Sequence, residues 1–145
     1  MNTRKLPIGI QDFQDLREND YLYIDKTAAV YNLVTRGKPY FLGRPRRFGK
    51  SLLVSTLKAY FEGKKELFEG LAVATLEKDW TVYPVLHIDL MGENYDGIAG
   101  LEAGLDMNLR LLEKEWGRDP ADDTASARLF GLIQRAAEKT GKKVV

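Results

Sequence analysis

Arg44-Pro45-Arg46-Arg47-Phe48-Gly49-Lys50-Ser51 is the stretch of this chain whose residue types and spacing best suit chemistry. An apolar run, Pro39-Tyr40-Phe41-Leu42, precedes it, and a helical pattern from Leu52 to Leu57 follows. A strand, a loop closing in Gly-Lys-Ser and then a helix is the context that a phosphate-binding P-loop requires. Backbone N–H groups at the start of that helix, together with its dipole, favour an anion. Lys50 brings a mobile positive charge to the β- and γ-phosphates of a triphosphate. Ser51 offers a hydroxyl to Mg²⁺, whose other ligands are waters and phosphate oxygens. Gly49 lets the backbone approach closely because it has no Cβ. The expected nucleotide-contacting set is therefore Arg44, Pro45, Arg46, Arg47, Phe48, Gly49, Lys50, Ser51 and Leu52, with Ser51 on the metal side.

The common motif is G-x-x-x-x-G-K-[ST]. Counting back from Gly49, its first glycine position holds Arg44, and Gly43 lies one residue early. Pro45 biases Arg44 toward an extended backbone, and an extended residue leaving a strand needs no glycine. Arg44, Arg46 and Arg47 admit three readings. They reinforce phosphate binding bidentately, or they form a solvated loop, or they are a nucleic-acid patch.

Asp89 closes the apolar run Val85-Leu86-His87-Ile88. An acid there suggests the magnesium-side group of a P-loop ATPase, yet Asp89 lies on the strand directly after the loop's helix. The strand expected to carry that acid begins only at Lys143, so Asp89 is read as a polar strand end near the site. His87, the one histidine, is read as a satisfied and partly buried strand residue, with a catalytic base as the alternative.

The elements that must position these groups follow from pattern. Gln11 to Arg17 predicts a short polar helix, and Tyr21 to Ile24 a β-prone run. Asp25 caps a helix from Lys26 to Arg36 that Gly37 stops. The helix after the loop places Leu53, Leu57, Tyr60 and Phe61 near one face and ends at Gly63. Lys64 to Leu71 suggests a further short helix. Ile98, Leu101, Leu105, Leu109, Leu112 and Trp116 recur at three and four residues, a helix closed by Gly117. Asp119 to Thr124 is a loop. Leu129, Leu132, Ile133, Ala136 and Ala137 mark another helix ending near Gly141, and Lys143 to Val145 starts a strand. Strands alternating with helices predict an α/β fold, a three-layer P-loop NTPase-like parallel sheet, here incomplete. Residues 1–37 form an N-terminal helical and strand extension, and residues 38–145 the core, cut before the second acidic strand is complete. Ligands of such sheets sit at the carboxyl ends of the strands, which puts Gly43 and Asp89 on one edge.

Composition sets the remaining bounds. A chain of 145 residues with 44% hydrophobic content supports one compact fold with a core. Net charge is +1, so the molecule as a whole has no electrostatic bias toward nucleic acid or membrane. With no cysteine, thiolate metal sites and disulfides are excluded, in keeping with a reducing compartment. Neither a signal-peptide pattern nor an apolar run of the ~20 residues a membrane helix needs is present. The expected location is the cytoplasm.

Beyond the loop, Leu6-Pro7-Ile8-Gly9-Ile10-Gln11-Asp12-Phe13, Tyr23-Ile24-Asp25-Lys26-Thr27, Leu57-Lys58-Ala59-Tyr60-Phe61-Glu62-Gly63, Tyr83 to Asp89 and Thr140 to Val145 stand in a recognisable order. Together they resemble a family of predicted prokaryotic AAA-like ATPases. The resemblance implies ATP and Mg²⁺ as ligands, with Gly49, Lys50 and Ser51 as phosphate and metal groups and Arg44 as a usual family residue. It implies that members continue into an apolar strand ending in Asp-Glu-Tyr-Asp, and that many carry a distal domain similar to a PD-(D/E)XK nuclease. This chain is then an N-terminal fragment that binds ATP, with hydrolysis expected only in a longer parent and nucleic acid a partner through that domain. The resemblance gives Asp25, Lys26 and Thr27 no role; a helix cap is the preferred reading of Asp25, and a contact to the nucleotide from this N-terminal segment is the alternative. The alternative function is a non-catalytic nucleic-acid-binding or protein-interaction module using the arginine-rich loop.

Overall fold

The structure is a computed structural model that describes residues 4–37, 39–90 and 97–145. It has two compact units, Met1–Val82 and Tyr83–Val145. Lys38, where the sequence starts the core, lies outside the described residues.

In the first unit, α1 (Phe13–Glu18) begins at Asp12, whose carboxylate accepts from the Asp15 N–H at 2.9 Å. Helix α2 (Thr27–Thr35) gives way to Gly37 at φ 48°, and α3 (Lys50–Phe61) to Gly63 at φ 69°. A 3₁₀ turn, Lys65–Phe68, and α4 (Ala72–Leu76) follow. Phe13, Phe68, Leu67, Ala59 and Val73 form the core, with Phe13 and Phe68 rings 4.8 Å apart. Burial of such rings is the main favourable term. Arg17 of α1 reaches over this core and donates to the Leu67 and Glu69 carbonyls at 2.8 and 2.7 Å, tying α1 to the turn. The face of α3 is rotated from expectation: Thr56 and Ala59 are its buried residues, while Leu53, Leu57, Tyr60 and Phe61 are half-buried.

In the second unit, α5 (Gly97–Trp116) and α6 (Ala125–Thr140) pack through Leu109, Leu112 and Leu132. Gly117 and Gly141 stop them at φ 86° and 65°. Thr124 caps α6, its hydroxyl accepting from the Ala127 N–H at 3.1 Å. Ile98 and Leu101, expected on the packed stripe of α5, are exposed.

The expected parallel sheet is not there. Among the described residues the chain is helical with no strand and no sheet, so this is not an α/β P-loop fold. Tyr21 makes one isolated parallel bridge, to Lys5. Val145 donates to the Pro84 carbonyl at 2.9 Å and accepts from the Leu86 N–H at 2.7 Å, and no ladder grows from that exchange. The physical reason is pairing. Apolar content and β-propensity mark a segment that suits a pleated surface, but a strand exists only where a neighbour takes its N–H and C=O groups in register. Among the described residues Tyr40–Leu42 has no such neighbour, and Phe41 is 97% exposed. The common sheet edge expected for Gly43 and Asp89 is therefore absent too.

Candidate functional site

The loop of residues 44–51 joins the extended segment before it to the first turn of α3. Two residues within three positions, Arg47 at φ 66° and Gly49 at φ 73°, are left-handed. That turns the backbone sharply into the helix. A Cβ on Gly49 would touch nothing within 4 Å, so the position asks for glycine because of its backbone and not for space.

Gly49 is the N-cap of α3 and has no side chain to cap it. The first intrahelical bond runs from the Leu53 N–H to the Gly49 carbonyl, 3.0 Å. The N–H groups of Lys50, Ser51 and Leu52 thus have no intrahelical acceptor, as at every helix start. They carry the positive end of the helix dipole. The Lys50 ammonium folds back over the loop and donates to the carbonyls of Arg44 (2.5 Å) and Pro45 (3.2 Å). It is not held in an ion pair with any described carboxylate. Arg44, Arg46, Arg47 and Ser51 are exposed. So the structure brings together uncapped amides, an ammonium, guanidinium groups and a hydroxyl at one helix end. That donor set suits a polyanion with a hard cation, because amides and cations meet phosphate oxygens and a hydroxyl meets Mg²⁺.

An apolar cavity of about 650 Å³ lies against this loop, and both Gly49 and Leu52 wall it. No short-range pattern pointed to it, since its lining comes from four separate stretches of sequence, 6–7, 16, 22–33 and 40–56.

The Asp25-Lys26-Thr27 stretch, in which sequence reads only a helix cap at Asp25, is a clamp. Asp25 Oδ1 accepts from the Thr27 N–H (2.8 Å) and hydroxyl (2.6 Å), at the start of α2. Its Oδ2 accepts from the Ala72 N–H at 2.7 Å, and the buried Thr27 hydroxyl accepts from Val73 N–H at 3.0 Å. Two side chains therefore satisfy the first amides of both α2 and α4. Burial pushes the Asp25 carboxyl up, but the Thr27 and Ala72 hydrogen bonds and the Arg17 charge outweigh it and hold the group below its usual range. The first half of this clamp is a cap legible in sequence; the second joins residues 46 and 47 apart and has no local signal.

In the second unit, the Asp89 N–H donates to Asn108 Oδ1 (2.9 Å), and Asn108 Nδ2 donates to the Asp89 carbonyl (2.8 Å). The backbone of Asp89 is thus moored to α5. His87 is exposed, not partly buried as expected, because without a sheet nothing covers its face. No group of three or more acidic or histidine side chains suited to a metal occurs among the described residues. No helix there is long and apolar enough to cross a membrane.

The loop thus presents a helix end with open amides, a lysine and a serine, and comparison with known proteins gives the chain's lineage. The family described as Predicted AAA-ATPase matches residues 7–145, so the chain belongs to that predicted AAA-ATPase-like family. It is also 41% identical over 147 residues to the "Uncharacterized protein in vnfD 5'region" of Azotobacter chroococcum mcd 1. That match covers 100% of this chain and 28% of the relative, so the chain spans well under a third of the relative's length. No solved structure matches.

Proposed function

We propose that residues 44–52 bind the phosphates of a nucleoside triphosphate, ATP with Mg²⁺, in the cytoplasm. One observation carries this reading: the Lys50 ammonium, at the uncapped start of α3, is held by the loop carbonyls of Arg44 and Pro45 and by no described carboxylate. An incoming phosphate offers the ammonium an anionic acceptor in place of neutral carbonyls, adding the attraction of opposite charges to the hydrogen bond. The ammonium then swings from Arg44 and Pro45 onto the anion, while the amides of Lys50, Ser51 and Leu52 close on it. Ser51 is the residue that would hold Mg²⁺, which supplies charge neutralisation between phosphate oxygens. The family supports a nucleotide ligand in its name.

Hydrolysis is proposed for a protein of the relative's length, in which further residues position water; the loop itself contributes binding and charge. The test is competition. A fluorescent ATP analogue bound in the presence of Mg²⁺ is displaced by ATP and by inorganic tripolyphosphate. Displacement by mixed-sequence single-stranded RNA, but not by ATP, would replace this reading with a nucleic-acid patch.

A further inference from the structure

Lys26 stands between the two residues of the clamp. Before it, the Asp25 carboxylate accepts from the N–H groups of Thr27 (2.8 Å) and Ala72 (2.7 Å). After it, the buried Thr27 hydroxyl accepts from the Val73 N–H at 3.0 Å. The Lys26 carbonyl itself accepts from the Ala29 N–H at 3.0 Å. The chain is therefore held at each of these residues in turn. The Lys26 side chain is exposed and, among the described residues, has no carboxylate partner. Local structure gives no reason for a lysine there. It occupies the N-cap of α2 without capping it, and a cation at that end opposes the helix dipole. Lys26 does, however, line the same cavity as Arg44 and Gly49 of the loop. Among the described residues that wall carries cations at Lys26 and Arg44 and no carboxylate. From Lys26 to Phe61 the sequence holds no aspartate or glutamate, so no acid within that span offsets their charge.

We infer that Lys26 is a second phosphate-binding lysine of this site, reaching the anion from α2 as Lys50 does from α3, and that it makes the site favour a triphosphate over shorter phosphate chains. The inference rests on the phosphate-loop reading for the position of the anion. A lysine whose backbone is already fixed has only its own side chain to order when a ligand arrives, which lowers the cost of the contact. Its ammonium acts as a point charge, and the attraction grows with the charge of the anion. Base and ribose are uncharged at neutral pH, so the phosphate chain is the part of a nucleotide that this cation holds. Each added phosphate brings more negative charge within its field. The Asp25-Lys26-Thr27 stretch thus divides its work: Asp25 and Thr27 join α2 to α4, and Lys26 is left for the ligand.

The experiment measures binding of ATP, ADP and AMP, each with Mg²⁺, to the whole chain by calorimetry. Wild type is set against Lys26→Gln, which keeps the reach and removes the charge, and Lys26→Arg, which keeps the charge. Lys26 is exposed, so neither change removes core. Lys26→Gln is expected to weaken ATP by about fivefold or more, the effect of one unit charge about 4 Å away in water. ADP loses less and AMP least. Lys26→Arg recovers most of the loss. At about 1 M salt, where screening acts within about 3 Å, the gap between wild type and Lys26→Gln narrows. Equal ATP affinity in wild type and Lys26→Gln overturns the inference. An equal loss for ATP, ADP and AMP also overturns it, since that would put the lysine on base or ribose. So does a loss in Lys26→Arg as large as in Lys26→Gln. Lys50→Ala separates this claim from the loop. If Lys50→Ala loses ATP while Lys26→Gln binds like wild type, the loop stands and the role of Lys26 falls. If Lys26→Gln loses ATP and Lys50→Ala does not, Lys26 stands as an anion contact and the loop reading falls.

Discussion

The ammonium of Lys50 lies 2.5 Å from the carbonyl oxygen of Arg44, six residues earlier, and so closes the loop upon itself. A second bond to Pro45 fixes the same side chain. The lysine thus pre-shapes the loop before any anion arrives. Its hydrogen-bond partners are neutral, which leaves its charge available.

Lys50→Ala should separate binding from stability. The bonds lost are exposed, and exposed changes away from the core typically move stability by no more than about 0.5 kcal/mol. Urea unfolding of the variant is expected to match wild type, while phosphate affinity falls. A variant destabilised by several kcal/mol would show that the lysine is a structural strut.

Gly49 makes a backbone prediction. Its φ of 73° lies in the left-handed region, and an alanine there has room for its Cβ but not the conformation. Gly49→Ala should cost about 1–2 kcal/mol in urea unfolding. No change would mean that the backbone enters α3 by another route.

Asp25 gives a pH signature. Its folded carboxyl is held below the usual range, so the unfolded chain takes up the proton first as acid is added. The stability it contributes is complete above the ordinary aspartate pKa of about 3.9 and is lost as pH falls through the lowered folded value. Asp25→Asn should therefore unfold at lower denaturant than wild type from pH 5 to 8, with the gap narrowing below about pH 4. A gap independent of pH would contradict the clamp as a carboxylate device.

Arg128 links the two helices of the second unit. It is 6% exposed and donates to Glu113 at 2.7 Å and 3.0 Å and to Asp106 at 2.5 Å. The hydrogen bonds from Arg128 hold the Glu113 carboxyl below its usual range despite burial. Arg128→Ala removes the hydrogen-bonding partner of the buried Glu113 carboxylate and leaves it only Arg118, 4.0 Å away, so the cost approaches the about 3–5 kcal/mol of a broken buried pair. The double variant Arg128→Met, Glu113→Leu should recover much of that loss in thermal unfolding, since an apolar pair replaces the ions without a stranded charge.

Helices were legible wherever local rules decide them. Glycines at 37, 63, 117 and 141 ended four helices, and the heptad-like spacing from Leu105 to Trp116 gave α5 its packed stripe, whereas the Asp12 cap that starts α1 went unread. The sheet was misread because residues such as Tyr40–Leu42 and Val85–Ile88 advertise an apolar surface without naming a partner strand. The loop residues kept their places at the start of α3, since Gly49 and the helix that follows are set within a few positions. The Asp25 link to Ala72, the Asn108 mooring of Asp89 and the cavity all join distant stretches, and those depend on packing that spacing does not encode.

Calorimetric titration of Mg²⁺-ATP into wild type and Lys50→Ala reads the central claim most directly. Removing one charge-assisted partner of a phosphate is expected to weaken binding by about tenfold or more, with the variant still folded. Equal affinity in the two proteins, or heat in neither, would contradict a nucleotide held by this loop.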